Sequence, residues 1–377
     1  MIDKLKLLVL LFAIAFALLF IIGIKDNKIK NKIKEDFSDM VLTCSEYPEL
    51  LLQVMKERNL KTEQNNYDVY VPCSYDSCEK DILAFENQKT GRKLFSLEGC
   101  DSFASKVRLW EILNTKYGQE ATKYMPKTFI LINMDDVNKF PEYYNKRNIE
   151  KPDQIYVLKN FAQRQEGIKL SRDLDEIING IGKGWFLAQQ YLYDPYLISG
   201  HKINFRYYLL VVCKNGHIDA WIHNNGFLYY TPEKYDEHDM DFKKHITTGY
   251  IDRKIYEQNP LTLEDFREHL DKKDKNSRNK WNHNVEVLMN KVMTALSEHI
   301  CNNKKLDNHT RFQIFGCDVA PTANLDALLM EINKGPDMGA KDERDKQVKL
   351  TVQRDMFKIV DPINIDEYNS TSFIKIF

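Results

Sequence analysis

Asp318, Glu331 and Asn333 are the residues of this chain whose types and spacing suit metal and phosphate chemistry. In Arg311-Phe-Gln-Ile-Phe-Gly-Cys-Asp318, Phe312, Ile314 and Gly316 alternate with Gln313, Phe315 and Cys317. The run is too apolar and short for a surface helix, which predicts a half-buried strand closed by Asp318. A second strand, Leu328-Leu-Met-Glu331-Ile-Asn333, places Glu331 and Asn333 two residues apart and so on one face. Paired as neighbours, the strands bring two carboxylates and an amide carbonyl together, a hard-oxygen set suited to Mg²⁺ carrying phosphates. The same spacing also fits a polar cluster on a solvated sheet edge.

Upstream segments supply cations in matching positions. Ile155 to Lys159 reads as a strand ending in lysine, followed by a loop to Gly167 and a second strand, Ile168 to Leu170. Such a lysine can meet phosphate oxygens while the loop's backbone N–H groups cover them; an ordinary hairpin with a charged edge has the same pattern. In the strand His201 to Val212, Lys202, Asn204 and Arg206 share one face, which turns to water or to a site. Phe103 to Tyr117 reads as a helix carrying Lys106, and Gly180 to Gly184 as a tight turn without the spacing of a phosphate loop.

Gln313-Ile-Phe-Gly-Cys-Asp318 followed by Leu329-Met-Glu331-Ile-Asn333-Lys-Gly-Pro336 resembles the closing motif of the tubulin tyrosine ligase-like family of ATP-grasp ligases, and the likeness runs from about Phe103 to Val360. The helix with Lys106 and the strand entry Met125-Pro126-Lys127-Thr128 resemble the family's Arg-Lys helix and Met-Pro-x-Thr strand. The resemblance implies phosphate contacts from Lys106, Lys159, Lys202 and Arg206, with Lys202 and Arg206 stabilising the transferred phosphoryl group. It implies a closing loop ending at Gly167, an adenine hinge at Gln189, Gln190, Tyr191 and Leu192, and Mg²⁺ on Asp318, Glu331 and Asn333. The chain departs from the pattern where Phe227-Leu-Tyr229-Tyr230 lacks the arginine that usually follows the glycine, and where His245-Ile-Thr-Thr248 replaces His-Leu-Thr-Asn.

With 377 residues, 43% of them hydrophobic, the chain can bury one large core or several small ones. A net charge of -1 gives no global field to attract nucleic acid, and no nucleic-acid partner is expected. Seven cysteines without a zinc pattern are expected as free thiols. Leu7 to Ile24 is an unbroken apolar run, about 27 Å long as a helix and long enough to cross a bilayer. The lysines after it outnumber those before it, which predicts a single-pass membrane protein with its C-terminal bulk in the cytosol.

The expected architecture is an α/β (α+β) ATP-grasp fold with a small N-terminal α/β lobe and one transmembrane helix. The divisions are an anchor at 1–24, a charged juxtamembrane linker at 25–45, the α/β lobe at 46–125, a central ATP-grasp lobe at 126–190 and a C-terminal lobe with the metal site at 191–377. The resemblance implies an amide-forming ligase that uses ATP and Mg²⁺, works through an acylphosphate, and joins a free amino acid to tubulin or another acidic protein tail. The competing expectation, carried by Tyr229 and Thr248, is a non-catalytic relative that binds nucleotide or a tubulin tail and serves as a membrane tether.

Overall fold

The computed structural model describes residues 48–60, 62–63, 66–72, 78–89, 91–160 and 167–377. In chain order, the elements that matter for the site are α1 (Glu49–Glu57), β1 (Val69–Tyr70), β2 (Lys93–Leu94), α2 (Lys106–Tyr117), β3 (Thr128–Ile130), α3 (Met134–Glu150), β4 (Tyr156–Lys159), β5 (Ile168–Ser171) and β6 (Leu187–Gln190). They continue with β7 (Leu197–Ile198), β8 (His201–Lys214), β9 (His217–His223), β10 (Phe227–Tyr230), α4 (Leu263–Lys273), α5 (Lys275–Leu296), β11 (Thr310–Pro321), β12 (Ala327–Asn333), α6 (Glu343–Val360) and β13 (Phe373–Lys375). The result is a mixed α/β protein with two sheets that matter here.

The smaller sheet has the order β3-β6-β4-β5, all antiparallel. Its outer face is covered by α3, which buries Phe140 against Phe129 and Tyr156. The nine-stranded sheet runs β13-β9-β8-β11-β2-β1, with β7 and β10 also on β8 and β12 on β11. Its axis is β8, whose apolar residues from Phe205 to Cys213 are all buried, an almost continuous run as expected of a strand covered on both faces. On one side α5 packs through Trp281, whose Nε1 donates to Tyr207 Oη at 2.9 Å.

Several expectations need correcting. No helix among the described residues is long and apolar enough to cross a membrane, and residues 7–24, on which the single-pass, cytosol-facing reading rested, lie outside them; that reading is withdrawn. Ile82 to Phe85 reads as a short strand but forms a 3₁₀ turn, because the three-residue spacing lets both ends enter one cluster with Tyr70, Leu94 and Leu306. The charged stretch from Asp271 to Lys280 reads in the sequence as a solvated loop, but Asp274 ends α4 and caps α5, accepting from Asn276 N at 3.2 Å. Cys213 and Cys301 form a disulfide rather than the free thiols expected, whereas Cys317 is a free thiol.

One correction shapes the site. The sequence around Asn224-Asn225-Gly226 predicts a hairpin, yet β9 and β10 do not pair with each other. Both lie antiparallel along the same edge of β8, β9 against residues 209–214 and β10 against 203–206. The chain steps from one to the other at Gly226, where a Cβ would sit 2.1 Å from the Arg206 carbonyl oxygen. That step lays Tyr229 beside Asn204.

Candidate functional site

The acidic end of the site stands on two strands. β11 and β12 pair with Asp318 opposite Glu331 and Gly316 opposite Asn333. The three oxygen-bearing side chains therefore meet on one face, and a register shift between Asp318 and Val319 helps aim them. Asn333 Nδ2 donates to Glu331 Oε1 at 3.1 Å, leaving the amide oxygen for a cation. On the other flank of β11, Arg206 lies opposite Asp318. Its Nε donates to Asp318 Oδ1 at 2.6 Å and its Nη2 to Oδ2 at 3.3 Å.

The electrostatics follow from this crowding. Burial raises the Asp318 carboxyl, Arg206 pulls against the rise, and the adjacent Glu331 adds to it. Burial acts on Glu331 too, but the ammonium groups of Lys159 and Lys106 hold it below the ordinary carboxylate range. Two carboxylates and an amide oxygen, partly shielded from water and mutually repelling, form a set that a small hard cation would relieve. The donors fit Mg²⁺.

The cations come from three other elements. Lys159 ends β4 and is 6% exposed; its Nζ donates to Gln189 Oε1 at 2.8 Å, and Gln189 Nε2 donates to Thr128 Oγ1 at 2.9 Å. Lys202, equally buried, holds its ammonium 4.1 Å above the Tyr191 ring. Burial, and secondarily Lys159, brings Lys202 down to about 7. Burial also brings Lys159 down, to about 8, although Glu331 resists. Lys106 opens α2, with Ser105 as its cap, and reaches Asn160 O at 3.2 Å. Gly167 closes the base of the loop by accepting from Asn160 N at 3.0 Å.

These residues surround a cleft of about 1170 Å³ between the two sheets. Val157, Ile168, Tyr191 and Leu192 on one wall and Met330 and Ile332 on the other make an apolar slot beside the charged end. Of the four residues expected as the adenine hinge, Gln189 spends its side chain on Lys159, while the N–H groups of Gln190 and Tyr191 are taken by Lys127 O at 2.8 Å and Ile155 O at 3.2 Å. Tyr191 Oη also meets His245 Nδ1 at 2.8 Å, and His245 Nε2 meets Asp239 O at 2.6 Å. Burial lowers the imidazole's proton affinity, which favours the neutral form in this link.

Sequence reasoning missed the supporting roles of Thr128, Gln189 and His245, although all three segments drew attention for other reasons. It also missed Lys341 as a cleft residue. The two departures are both in the cleft: Tyr229 lies with its ring centre 5.5 Å from Arg206 Cζ, and Thr248 Oγ1 accepts from Tyr250 N at 3.0 Å. Elsewhere, Glu79, Cys100 and Asp101 bring potential ligand atoms within 4.8 Å. Glu79 accepts from the N–H groups of Gly99 and Asp101, and Asp101 pairs with Lys334, so the cluster serves the start of a short helix.

The glycine two residues before Asp318 has a spatial reason. A Cβ on Gly316 would lie 3.0 Å from both Arg206 Cδ and Pro336 Cβ. Gly316→Ala is expected to push Arg206 off Asp318, costing roughly 1–3 kcal/mol of stability and about tenfold or more in activity through misplacement. Thermal unfolding and turnover measured on one preparation test both; no change in either would mean that Arg206 relaxes freely.

Residues 71–369 match the family model described as the tubulin-tyrosine ligase family. The chain is 25% identical over 301 residues to the probable tubulin polyglutamylase ttll-9 of Caenorhabditis elegans, covering 76% of this chain and 66% of that relative. It is 26% identical over 260 residues to a probable beta-tubulin polyglutamylase of Tetrahymena thermophila, covering 63% of this chain and 21% of the relative. Tubulin glycylase 3B of Drosophila melanogaster is 22% identical over 223 residues, 55% of this chain and 29% of the relative. The matched stretch thus falls short of two thirds of each of these relatives. The family match takes in most of the sequence and every residue lining the cleft, and the chain belongs to the tubulin-tyrosine ligase family.

Proposed function

We propose that this chain is an ATP-dependent carboxylate–amine ligase with an ATP-grasp fold, joining a free amino acid to an acidic protein tail, tubulin's being the first to test. The observation that carries the reading is the meeting of Asp318 and Glu331 with Arg206, Lys159, Lys106 and Lys202 in one cleft beside an apolar slot. The names of the relatives, tubulin polyglutamylases and a tubulin glycylase, support tubulin as acceptor.

In this reading ATP lies between the sheets, its base in the slot bounded by Tyr191 and Leu192 and its phosphates toward Lys106, Lys159 and Lys202. The γ-phosphoryl group passes to a carboxylate, giving an acylphosphate and ADP. The amino group of the second substrate then displaces phosphate, forming the amide. Asp318, Glu331 and Asn333 would hold Mg²⁺, which supplies charge neutralisation on the phosphates. The chain's own contribution is placement and charge: Lys202 and Arg206 face the transferred group, and the walls of the cleft keep water from competing.

A second reading, a non-catalytic relative that binds nucleotide or a tubulin tail, is favoured by one observation: Tyr229 covers the Arg206 guanidinium, which is spent on Asp318. Incorporation of labelled glutamate, glycine or tyrosine into microtubules, with and without Mg·ATP, separates the two. Incorporation of one amino acid that needs Mg·ATP is the expected result and names the substrate. Nucleotide binding without incorporation of any of the three would favour the second reading.

A further inference from the structure

Beyond the phosphate end, the cleft has an outer end built from Tyr229, Thr248, Gly249, Tyr250 and Lys341. Lys341 lies just ahead of α6, and its backbone is fixed there because its N–H donates to Asp345 Oδ2 at 3.0 Å. Its side chain crosses to the opposite segment, where Nζ donates to Gly249 O at 2.9 Å and stands 4.8 Å from the centre of the Tyr250 ring. Space at Gly249 lets this happen: a Cβ there would sit 3.2 Å from Tyr229 Cε1 and 3.3 Å from Lys341 Nζ. The ammonium therefore lies close to the tyrosine that replaces the expected arginine.

Its charge is not spent on an acid. Among the described residues no carboxylate lies within 4 Å of Lys341 Nζ; Asp337 and Asp345 act on it from farther away, and Asp345 is already paired with Lys349 at 2.9 Å. Arg206, the other cation next to Tyr229, is paired with Asp318. Burial and the nearby Lys349 depress the proton affinity of Lys341, a penalty that an arriving anion would relieve. One carbonyl and one aromatic face leave an ammonium with unused donor capacity.

We propose that Lys341 is a specificity-determining residue that binds a substrate carboxylate at the outer end of the cleft. The inference rests on the ligase reading above. The carboxylate belongs either to the free amino acid or to a side chain of the acidic tail, and kinetics distinguish these sources. In the full chain, Lys341→Met should raise KM for one of the two about tenfold or more, with kcat changed less than about threefold and nucleotide affinity unaltered. Lys341→Arg should restore most of the loss. A shift in the amino-acid KM assigns the group to the free amino acid, and a shift in the acceptor KM assigns it to the tail.

Unchanged KM values for both substrates in an active Lys341→Met protein overturn the inference. A wild-type chain that incorporates nothing overturns the ligase reading instead. Lys341 is then judged by calorimetric titration of glutamate and of an oligoglutamate peptide into the nucleotide-loaded chain. Weaker binding of either probe to Lys341→Met supports the carboxylate site, and equal binding of both overturns it.

Discussion

Glu331→Gln is expected to abolish Mg·ATP-dependent amino-acid incorporation, lowering it at least about 100-fold, while leaving the fold in place. The substitution keeps the side chain's size, so β12 still pairs with β11 and Asn333 keeps an acceptor oxygen at that position. What disappears is the negative charge that Lys159 and Lys106 act on. The anionic pair expected to hold Mg²⁺ becomes a single carboxylate, and that carboxylate is already bound to Arg206. Glu331→Asp retains the charge one methylene short and should recover part of the activity. The check is incorporation at saturating ATP over a range of Mg²⁺ concentrations. Activity within tenfold of wild type in Glu331→Gln would remove Glu331 from the metal site.

Lys202→Met is expected to act with opposite signs on activity and stability. The ammonium is buried in β8 with no carboxylate within 4 Å among the described residues, and burial brings it down to about 7 from the ordinary 10.5 of a lysine. Between those values the unfolded chain holds more protons than the folded one, so unfolding free energy rises with pH across that window. Below about pH 7 the folded protein carries the full penalty of a buried cation. The nucleotide-free methionine variant should then be more stable than wild type by roughly 1–3 kcal/mol near pH 6.5, and the difference should shrink toward pH 10. Incorporation should fall about 100-fold or more, because the phosphoryl group loses a facing charge. Denaturant unfolding at three pH values, alongside turnover, reads both effects. A variant less stable than wild type at pH 6.5 would show that Lys202 is satisfied in the free protein.

The meeting of Asp318, Glu331 and Asn333 was legible because period-two spacing and one strand pairing decide it. Once Glu331 and Asn333 are read as i and i+2 of a strand next to Asp318, only their meeting remains to be seen, and the registers of β11 and β12 provide it. Lys202, Asn204 and Arg206 share a face for the same reason. The step from β9 to β10 was not legible: alternation plus Asn-Asn-Gly describes a hairpin equally well, and the choice was made by the length of β8, which has room for both strands on one edge. The sequence places Lys341 at the start of a basic amphipathic helix, Lys341 to Val360, on a charged face that is solvated or meets an acidic partner. Its place in the cleft depends on a contact with Gly249, 92 residues away, and local pattern carries no information about that. The pairing of Cys213 with Cys301 across 88 residues was hidden in the same way. The membrane-spanning reading has no support among the described helices.

The contacts that build the cleft join residues far apart in the chain. Arg206 and Asp318 are separated by 112 residues, Lys106 and Asn160 by 54, Lys159 and Gln189 by 30. Each contact closes a long loop, and the chain entropy of that closure is lost before the contact returns any energy. The cleft therefore has no nucleus of its own. It assembles only as the two sheets that carry these residues do, and opening any one of these loops removes its contact from the site.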